Sequence, residues 1–412
     1  MKKVPKKESN TMSNEVINKV KSTNQKYLKK NLENIPVKVM SQLENMDWTY
    51  LDLINQEVKP RGTFSPIEAM ELSEIEANKS SLKEKGLEAI KAGKVAAILL
   101  AGGQGTRLGF DKAKGMFNIG ETKELYIFEQ LINNMMDVTN DAGCFIPLYI
   151  MTSEKNDKDT REFFEEHNYF GYDKNFVKFF VQDMAPATDF EGNLLLESED
   201  SLAMSPNGNG GWFNSLIKAG LDEELKAKGI EWLNVFGVDN VLQRIADPVF
   251  VGATLESGCE CASKVVRKAD PDEKVGALCL ENGKPSIVEY YELTPEMAEA
   301  RNEKGTLLYG FGVTLNYLFK VEKLREISKN SLLPHIVKKK VPYLTEEGKL
   351  VKPEEPNAYK FELLIIDMIY MMDNCLGFEV ERNKEFAPVK NAKGIDSVDT
   401  ARELLKINGV NI

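Results

Sequence analysis

The sequence predicts an α/β fold built on a doubly wound, mostly parallel sheet, and three observations carry that prediction. Residues 95–100 form an unbroken apolar run without period-two alternation, the pattern of a strand covered on both faces. From Lys94 onward, short apolar runs alternate with amphipathic stretches, the cadence of βαβ units. Glycine-rich turns begin at Gly102 and at Gly208, and open parallel sheets bind ligands at such turns, beyond the carboxyl ends of their strands.

Taken in order, residues 1 to about 15 are polar and read as a frayed extension. Between 27 and 54, Leu28, Leu32, Val37, Met40, Leu43 and Leu51 recur at helical spacing, which predicts amphipathic helices. Ser65-Pro66-Ile67-Glu68 supplies an N-cap, a first-turn proline and a capping-box glutamate for a helix that ends near Gly93. Residues 1–93 are therefore expected to be a helical region packed on a catalytic domain, without chemistry of its own. In the region 94–355, residues 125–136 and 159–167 read as helices, and 145–151, 177–181 and 231–237 as strands. A further helix runs from Trp212 to about Lys226, and residues 356–412 form a small C-terminal domain. No internal repeat or low-complexity tract interrupts this order.

At 412 residues the chain exceeds a usual single core, so two or three domains are expected. A net charge of −11 excludes a general nucleic-acid binder, so a polyphosphate would have to be drawn by a local cluster of cations. The five cysteines form no CxxC pair and only His167 and His335 are present, which disfavours a zinc site. Scattered cysteines and a lysine-rich start without an apolar segment point to the cytoplasm. The most apolar helical stretch, 361–372, is broken by Asp367 and too short to span a bilayer, so no membrane partner is expected.

The first glycine turn reads as a phosphate loop. Gly102, Gly103, Gly105 and Gly109 allow a sharp turn and close approach of backbone amides to an anion, while Arg107, Lys112 and Lys114 add positive charge. The common nucleotide loops fail by spacing. Gly109 is followed by Phe110 where a Walker loop needs Lys and Ser or Thr, and the dinucleotide fingerprint started at Gly103 lands on Leu108.

LAGGQGTRLG with the following Lys114-Gly115 instead resembles the signature of the sugar-nucleotide pyrophosphorylases, and within them the UDP-N-acetylhexosamine pyrophosphorylase branch. Further motifs carry the same resemblance in the same order to about residue 402. SPNGNGGWFNSL is similar to that branch's PDGNGG loop, with Asn209 where glucose-specific relatives carry His. Val238-Asp239-Asn240 matches the metal-binding strand end, residues 263–289 resemble the sugar-facing strands, and GVTLNYLF resembles GNIxNHFF with Val313 and Tyr317 replacing an Asn and a His. Lys360 and Lys390 sit in NGxKxE-like and FxPLKN-like contexts. One departure falls in the loop itself, where Ala113 stands for the proline usually found before the lysine.

The resemblance implies a Rossmann-like nucleotidyltransferase in which a sugar 1-phosphate attacks the α-phosphorus of UTP and pyrophosphate leaves. It assigns Arg107 and Lys114 to catalysis by charge neutralisation. Leu100, Ala101, Gly102, Gly103, Gln182, Asn209 and Gly210 go to the nucleotide, and Asn209, Gly210, Glu289 and Asn316 to the sugar. Lys360 and Lys390 go to the phosphates, and Asp239 to Mg²⁺. N-acetylglucosamine 1-phosphate is the expected acceptor, glucose 1-phosphate or another sugar phosphate is the alternative, and a silent sugar-nucleotide sensor comes third. The chain is expected to be a monomer or a weak homo-oligomer.

Overall fold

A computed structural model of the chain describes residues 6–23, 25–28, 34–54, 60–329 and 332–412. Leu32 and the first five residues of the expected polar extension lie outside them. The chain forms two compact units, each assembled from three separate segments.

The smaller unit comprises Met1–Pro60, Asp183–Gly211 and Leu333–Leu364. Its helix Lys6–Ser22 extends through the stretch expected to fray. Val16, Val20, Val39, Leu43 and Met46 pack there against Leu194 and Leu202. Gln25 is buried because its amide bonds the Gly192 carbonyl and the Leu194 amide, pinning the helical segment to a hairpin distant in sequence. Lys26 adds an ion pair at 2.8 Å to Asp189. In the same unit the strand His335–Lys339 pairs antiparallel with Ala358–Glu362.

The larger unit, Arg61–Gln182, Trp212–Leu332 and Ile365–Ile412, holds the main sheet. Val95–Leu100 lies between Leu148–Thr152 and Trp232–Gly237, parallel to both, and Val177–Val181 extends the parallel set at one edge. On the other side Phe311–Lys320 runs antiparallel between Trp232–Gly237 and Cys261–Arg267. Cys375–Glu379 then pairs parallel with Cys261–Arg267, which places the C-terminal segment in the large sheet rather than in a small separate domain.

The alternation inside Val95–Leu100 shows why the strand is apolar throughout. Val95, Ala97 and Leu99 face a helical layer that includes Leu82, Phe128 and Phe250. Ala96, Ile98 and Leu100 face a second layer with Trp212, Leu216 and Leu324. The sheet is therefore covered on both faces, and the doubly wound, mostly parallel α/β architecture expected from the sequence is present.

Two helix boundaries differ from expectation for tertiary reasons. The N-cap signal at Ser65 is overridden because Phe64–Pro66 pairs as an edge strand with Cys279–Glu281, and the helix runs over Leu72–Lys91. The helix after the second glycine turn is split into Trp212–Lys218 and Leu221–Lys228 by Gly220, whose φ is +76°.

Helix Leu72–Lys91 crosses helix Pro248–Ser257 almost backbone to backbone. A Cβ on Gly252 would stand 1.8 Å from the Leu82 carbonyl oxygen, and one on Gly86 1.8 Å from that of Pro248. Gly252→Ala must separate the helices, so urea denaturation should show a loss of roughly 2–3 kcal/mol with an unchanged slope.

Candidate functional site

The site is laid out by register. Leu100 stands opposite both Gly237 and Met151, and Thr152 opposite Val181, so four strands end at one edge. The chain beyond each end is tied to its neighbour: Ala101 N donates to the Met151 carbonyl, Val238 N to that of Leu100 and Gln182 N to that of Thr152. Asn156 fastens this edge by accepting from Ser153 N and donating to the Ala101 carbonyl.

Within the glycine loop each glycine has its own reason. A Cβ on Gly102 would meet the Gln182 Oε1 at 2.9 Å, whereas Gly103 faces open space. Gly109 closes a 3-10 turn at φ +70°. Gly115 lies so close to the Phe128 ring that a Cβ would fall 2.2 Å from it. The loop folds back on itself through Gly105 N to the Lys112 carbonyl and Lys114 N to the Gly103 carbonyl. Ala113 sits at φ −53° and ψ 133°, a backbone conformation that a proline there would also adopt.

Lys114 is 7% exposed, and its ammonium lies 2.7 Å from Asp239 Oδ1. An almost buried ammonium needs such a partner, since an unpaired one is disfavoured by several kcal/mol. Arg107 is exposed on the turn Thr106–Leu108 and makes no hydrogen bond or ion pair with any described residue. It is therefore available to an anion arriving from solvent.

Asp239 stands on a turn held from two sides. From above, Val389 N donates to the Asp239 carbonyl, while the Asn240 amide accepts from Ala387 N and donates to the Glu385 carbonyl. This ties the segment carrying Lys390 to the same edge, with Lys390 Nζ 3.1 Å from Asp396. From below, Gln243 Nε2 donates to the carbonyls of Gly237 and Asn240, which bracket Val238 and Asp239.

Asn316 belongs to that brace. It is fully buried, its Nδ2 donates to Gln243 Oε1, and its Oδ1 accepts from Asn234 Nδ2. The amide expected to read the sugar is therefore engaged at both ends under the Asp239 turn. Tyr317 is likewise a core side chain, 2% exposed. Gln243 escaped the sequence reading, although a polar Asn234 inside the otherwise apolar strand Trp232–Gly237 was the available signal.

Glu289 follows the strand Lys284–Val288 and is half-buried. Burial, and then the neighbouring Glu292, push its carboxyl above the usual range, while Arg61 and Lys390 oppose the shift. Glu289 and Lys390 therefore lie within electrostatic reach of each other. The strand Cys261–Arg267 buries Lys264 between Asp247 at 3.3 Å and Glu385 at 2.5 Å.

Asn209, Gly210 and Lys360 belong to the smaller unit. A Cβ on Gly208 would stand 2.2 Å from the Leu363 carbonyl oxygen, and one on Gly210 2.5 Å from the Leu364 carbonyl carbon. These glycines are demanded by a neighbouring backbone, and Gly210 N donates to the Leu363 carbonyl. Asn209 is left partly exposed at the start of the short turn Asn209–Gly211. Burial pulls the Lys360 ammonium below its usual pKa, opposed by Glu362 and reinforced by Lys339.

Among the described residues no group of three or more His, Cys, Asp or Glu could hold a metal. A lone carboxylate such as Asp239 nevertheless fits Mg²⁺, which takes most of its ligands from water and substrate phosphates. No helix among the described residues is long and apolar enough to cross a membrane. Asn316→Ala strands Asn234 and Gln243 in the core, so denaturation should show a loss of roughly 2 kcal/mol or more. A side chain serving only as a sugar contact would leave stability unchanged.

Comparison with known proteins places this geometry. A family model described as UTP–glucose-1-phosphate uridylyltransferase matches residues 12–405. The chain is 42% identical over 334 residues to the UDP-N-acetylhexosamine pyrophosphorylase-like protein 1 of Homo sapiens, covering 78% of this chain and 66% of that protein. It is 38% identical over 401 residues to the UDP-N-acetylglucosamine pyrophosphorylase of Saccharomyces cerevisiae, covering 92% and 83%. Among solved structures, the uridine diphosphate N-acetylglucosamine pyrophosphorylase of Trypanosoma brucei, in complex with an inhibitor, superposes with a TM-score of 0.80 at 26% identity, covering 96% and 84%. The chain spans just under two thirds of the length of the first curated relatives it matches, 63–66%.

Proposed function

The chain belongs to the UTP–glucose-1-phosphate uridylyltransferase family, and from that membership we propose that it joins UTP to N-acetylglucosamine 1-phosphate, giving UDP-N-acetylglucosamine and pyrophosphate. The names of the yeast and trypanosomal relatives support this acceptor over glucose 1-phosphate. The observation that carries the chemistry is the Lys114–Asp239 pair at the edge where the glycine loop ends. Together these residues bring a cation and a metal-ligating carboxylate to one point beside open backbone at Gly103.

In-line attack of the sugar phosphate on the α-phosphorus needs no covalent enzyme intermediate, so catalysis rests on positioning and charge neutralisation. Leu100, Ala101, Gly102, Gly103 and Gln182 would receive the nucleotide at the sheet edge. Lys114 would neutralise charge growing on the transferring phosphoryl group, and Arg107 that on the departing pyrophosphate. Asp239 would hold Mg²⁺, which when bound supplies further charge neutralisation at the phosphate oxygens. Glu289 would accept from sugar hydroxyls, with Asn316 and Gln243 keeping Asp239 in place. Asn209 and Gly210 are proposed for the base and sugar, and Lys360 and Lys390 for the phosphates. A cytoplasmic location and a monomer or weak homo-oligomer complete the reading.

Pyrophosphate release from UTP with a panel of sugar 1-phosphates tests it. N-acetylglucosamine 1-phosphate should exceed glucose 1-phosphate in kcat/KM by several orders of magnitude if polar groups read the acetamide, or by about 10- to 200-fold if only its methyl is accommodated. A ratio favouring glucose would assign the glucose reaction, and binding without pyrophosphate release would assign a sensor.

For the metal, calorimetric titration of UTP with and without Mg²⁺ should give different affinities in the native protein. The difference should collapse in Asp239→Asn, because a neutral amide is a poor ligand for a hard cation. An undiminished Mg²⁺ effect in that variant would remove Asp239 from the metal site.

A further inference from the structure

We propose that Arg61 is a positioning residue for the sugar-binding carboxylate, setting both the placement and the charge of Glu289 through Glu292. The inference rests on the reading above that Glu289 binds the sugar. It concerns a residue from the segment expected to carry no chemistry.

The Arg61 guanidinium is the hub of a polar cluster beside the hairpin that leads to Glu289. Its Nε donates to both carboxylate oxygens of Glu281 at 3.1 Å, and its Nη2 to Glu281 Oε2 at 2.7 Å, Ser286 Oγ at 3.1 Å and the Ile287 carbonyl at 3.1 Å. Glu281 is itself fixed, accepting from Gly62 N at 2.6 Å and from Ser286 Oγ at 3.0 Å. With one side of its fork held there, Arg61 turns the other to Glu292, where Nη1 meets Oε1 at 2.9 Å and Oε2 at 3.1 Å. Glu292 Oε2 also accepts from the Glu289 backbone N–H at 2.9 Å. A continuous path therefore runs from a two-sided guanidinium through one carboxylate to the main chain of Glu289. Lysine lacks the planar fork needed to hold both carboxylates at once.

The same cluster sets the charge of Glu289. Its half-buried position and the Glu292 carboxylate disfavour ionisation, whereas Arg61 and Lys390 favour it. Among the described residues, the phenols of Tyr291 and Tyr317 also interact electrostatically with Glu289. The ionised carboxylate is the stronger acceptor for sugar hydroxyls, so sugar binding falls as pH drops through the Glu289 pKa. Removing the Arg61 cation raises that pKa and moves the acid limb to higher pH. Removing the Glu292 charge lowers it and moves the limb to lower pH.

The test is the pH profile of kcat/KM for N-acetylglucosamine 1-phosphate, with the KM for UTP measured alongside, in Arg61→Met, Glu292→Gln and Glu289→Gln. Arg61→Met should raise the KM for the sugar phosphate about tenfold or more, leave that for UTP unchanged, and shift the acid limb upward by roughly half a unit or more. Glu292→Gln should shift the limb the opposite way. Unmoved limbs, shifts in one direction, or equal losses for both substrates would overturn the proposal and leave Arg61 a structural residue. Should Arg61→Met fail to fold, the direction of the Glu292→Gln shift decides. Arg61→Lys, which keeps charge but loses the fork, should then raise the sugar KM without moving the limb. If Glu289→Gln leaves the sugar KM unchanged, the assignment of Glu289 fails first and this proposal with it. A loss in Glu289→Gln with none in Arg61→Met refutes the Arg61 relay alone.

Discussion

The parallel register of Val95–Leu100 with Trp232–Gly237 is the constraint on which the site depends. Leu100 and Gly237 end opposite each other, so the loop after one strand and the turn after the other must share the same space. From that alignment follows the meeting of Lys114 and Asp239, which are 125 residues apart in sequence and 2.7 Å apart in the fold. A slip of one residue would also turn the alternating apolar side chains of the strand to the wrong helical layers. The packing that protects the register therefore protects the Lys114–Asp239 pair.

Around that edge the structure uses buried polar groups as braces. Asn234, Asn316 and Gln243 link two antiparallel strands to the turn that presents Asp239, and each amide has its partners. In the low-dielectric interior such bonds are strong, and an unmatched member is disfavoured, so the turn is held in one conformation. The Arg61 cluster does the same for the hairpin leading to Glu289, again with a buried carboxylate as anchor. The groups proposed to meet the substrates are thus presented by rigid elements, as charge stabilisation without reorganisation requires.

The glycines of the second loop illustrate how one pattern can serve two ends. Gly208 and Gly210 are required because the Leu363–Leu364 backbone approaches within a distance no side chain tolerates. That same contact shapes the turn on which Asn209 is displayed. A ligand role and a packing role are therefore not alternatives at this loop, since the packing that buries Gly210 also leaves Asn209 partly exposed beside it.

What the sequence determined by itself was whatever depends on local pattern. The apolar run at 95–100 specified a doubly covered strand, and the glycine spacing with Lys114 specified a tight loop bearing the signature of one family. The placement of Asp239 just past a strand specified a group at the sheet edge. These were legible because period, glycine freedom and strand ends are encoded within a few residues. What lay in long-range pairing was not. Ser65 has the chemistry of a helix cap, yet its segment became an edge strand through Cys279–Glu281. Asn316 has a ligand's side chain, yet its position opposite Phe236 buries it in the amide network. Residues 356–412 were expected to stand as a small domain, yet Cys375–Glu379 completes the large sheet. In each case the deciding contact comes from a strand far away in the chain, and only the folded sheet brings that strand alongside.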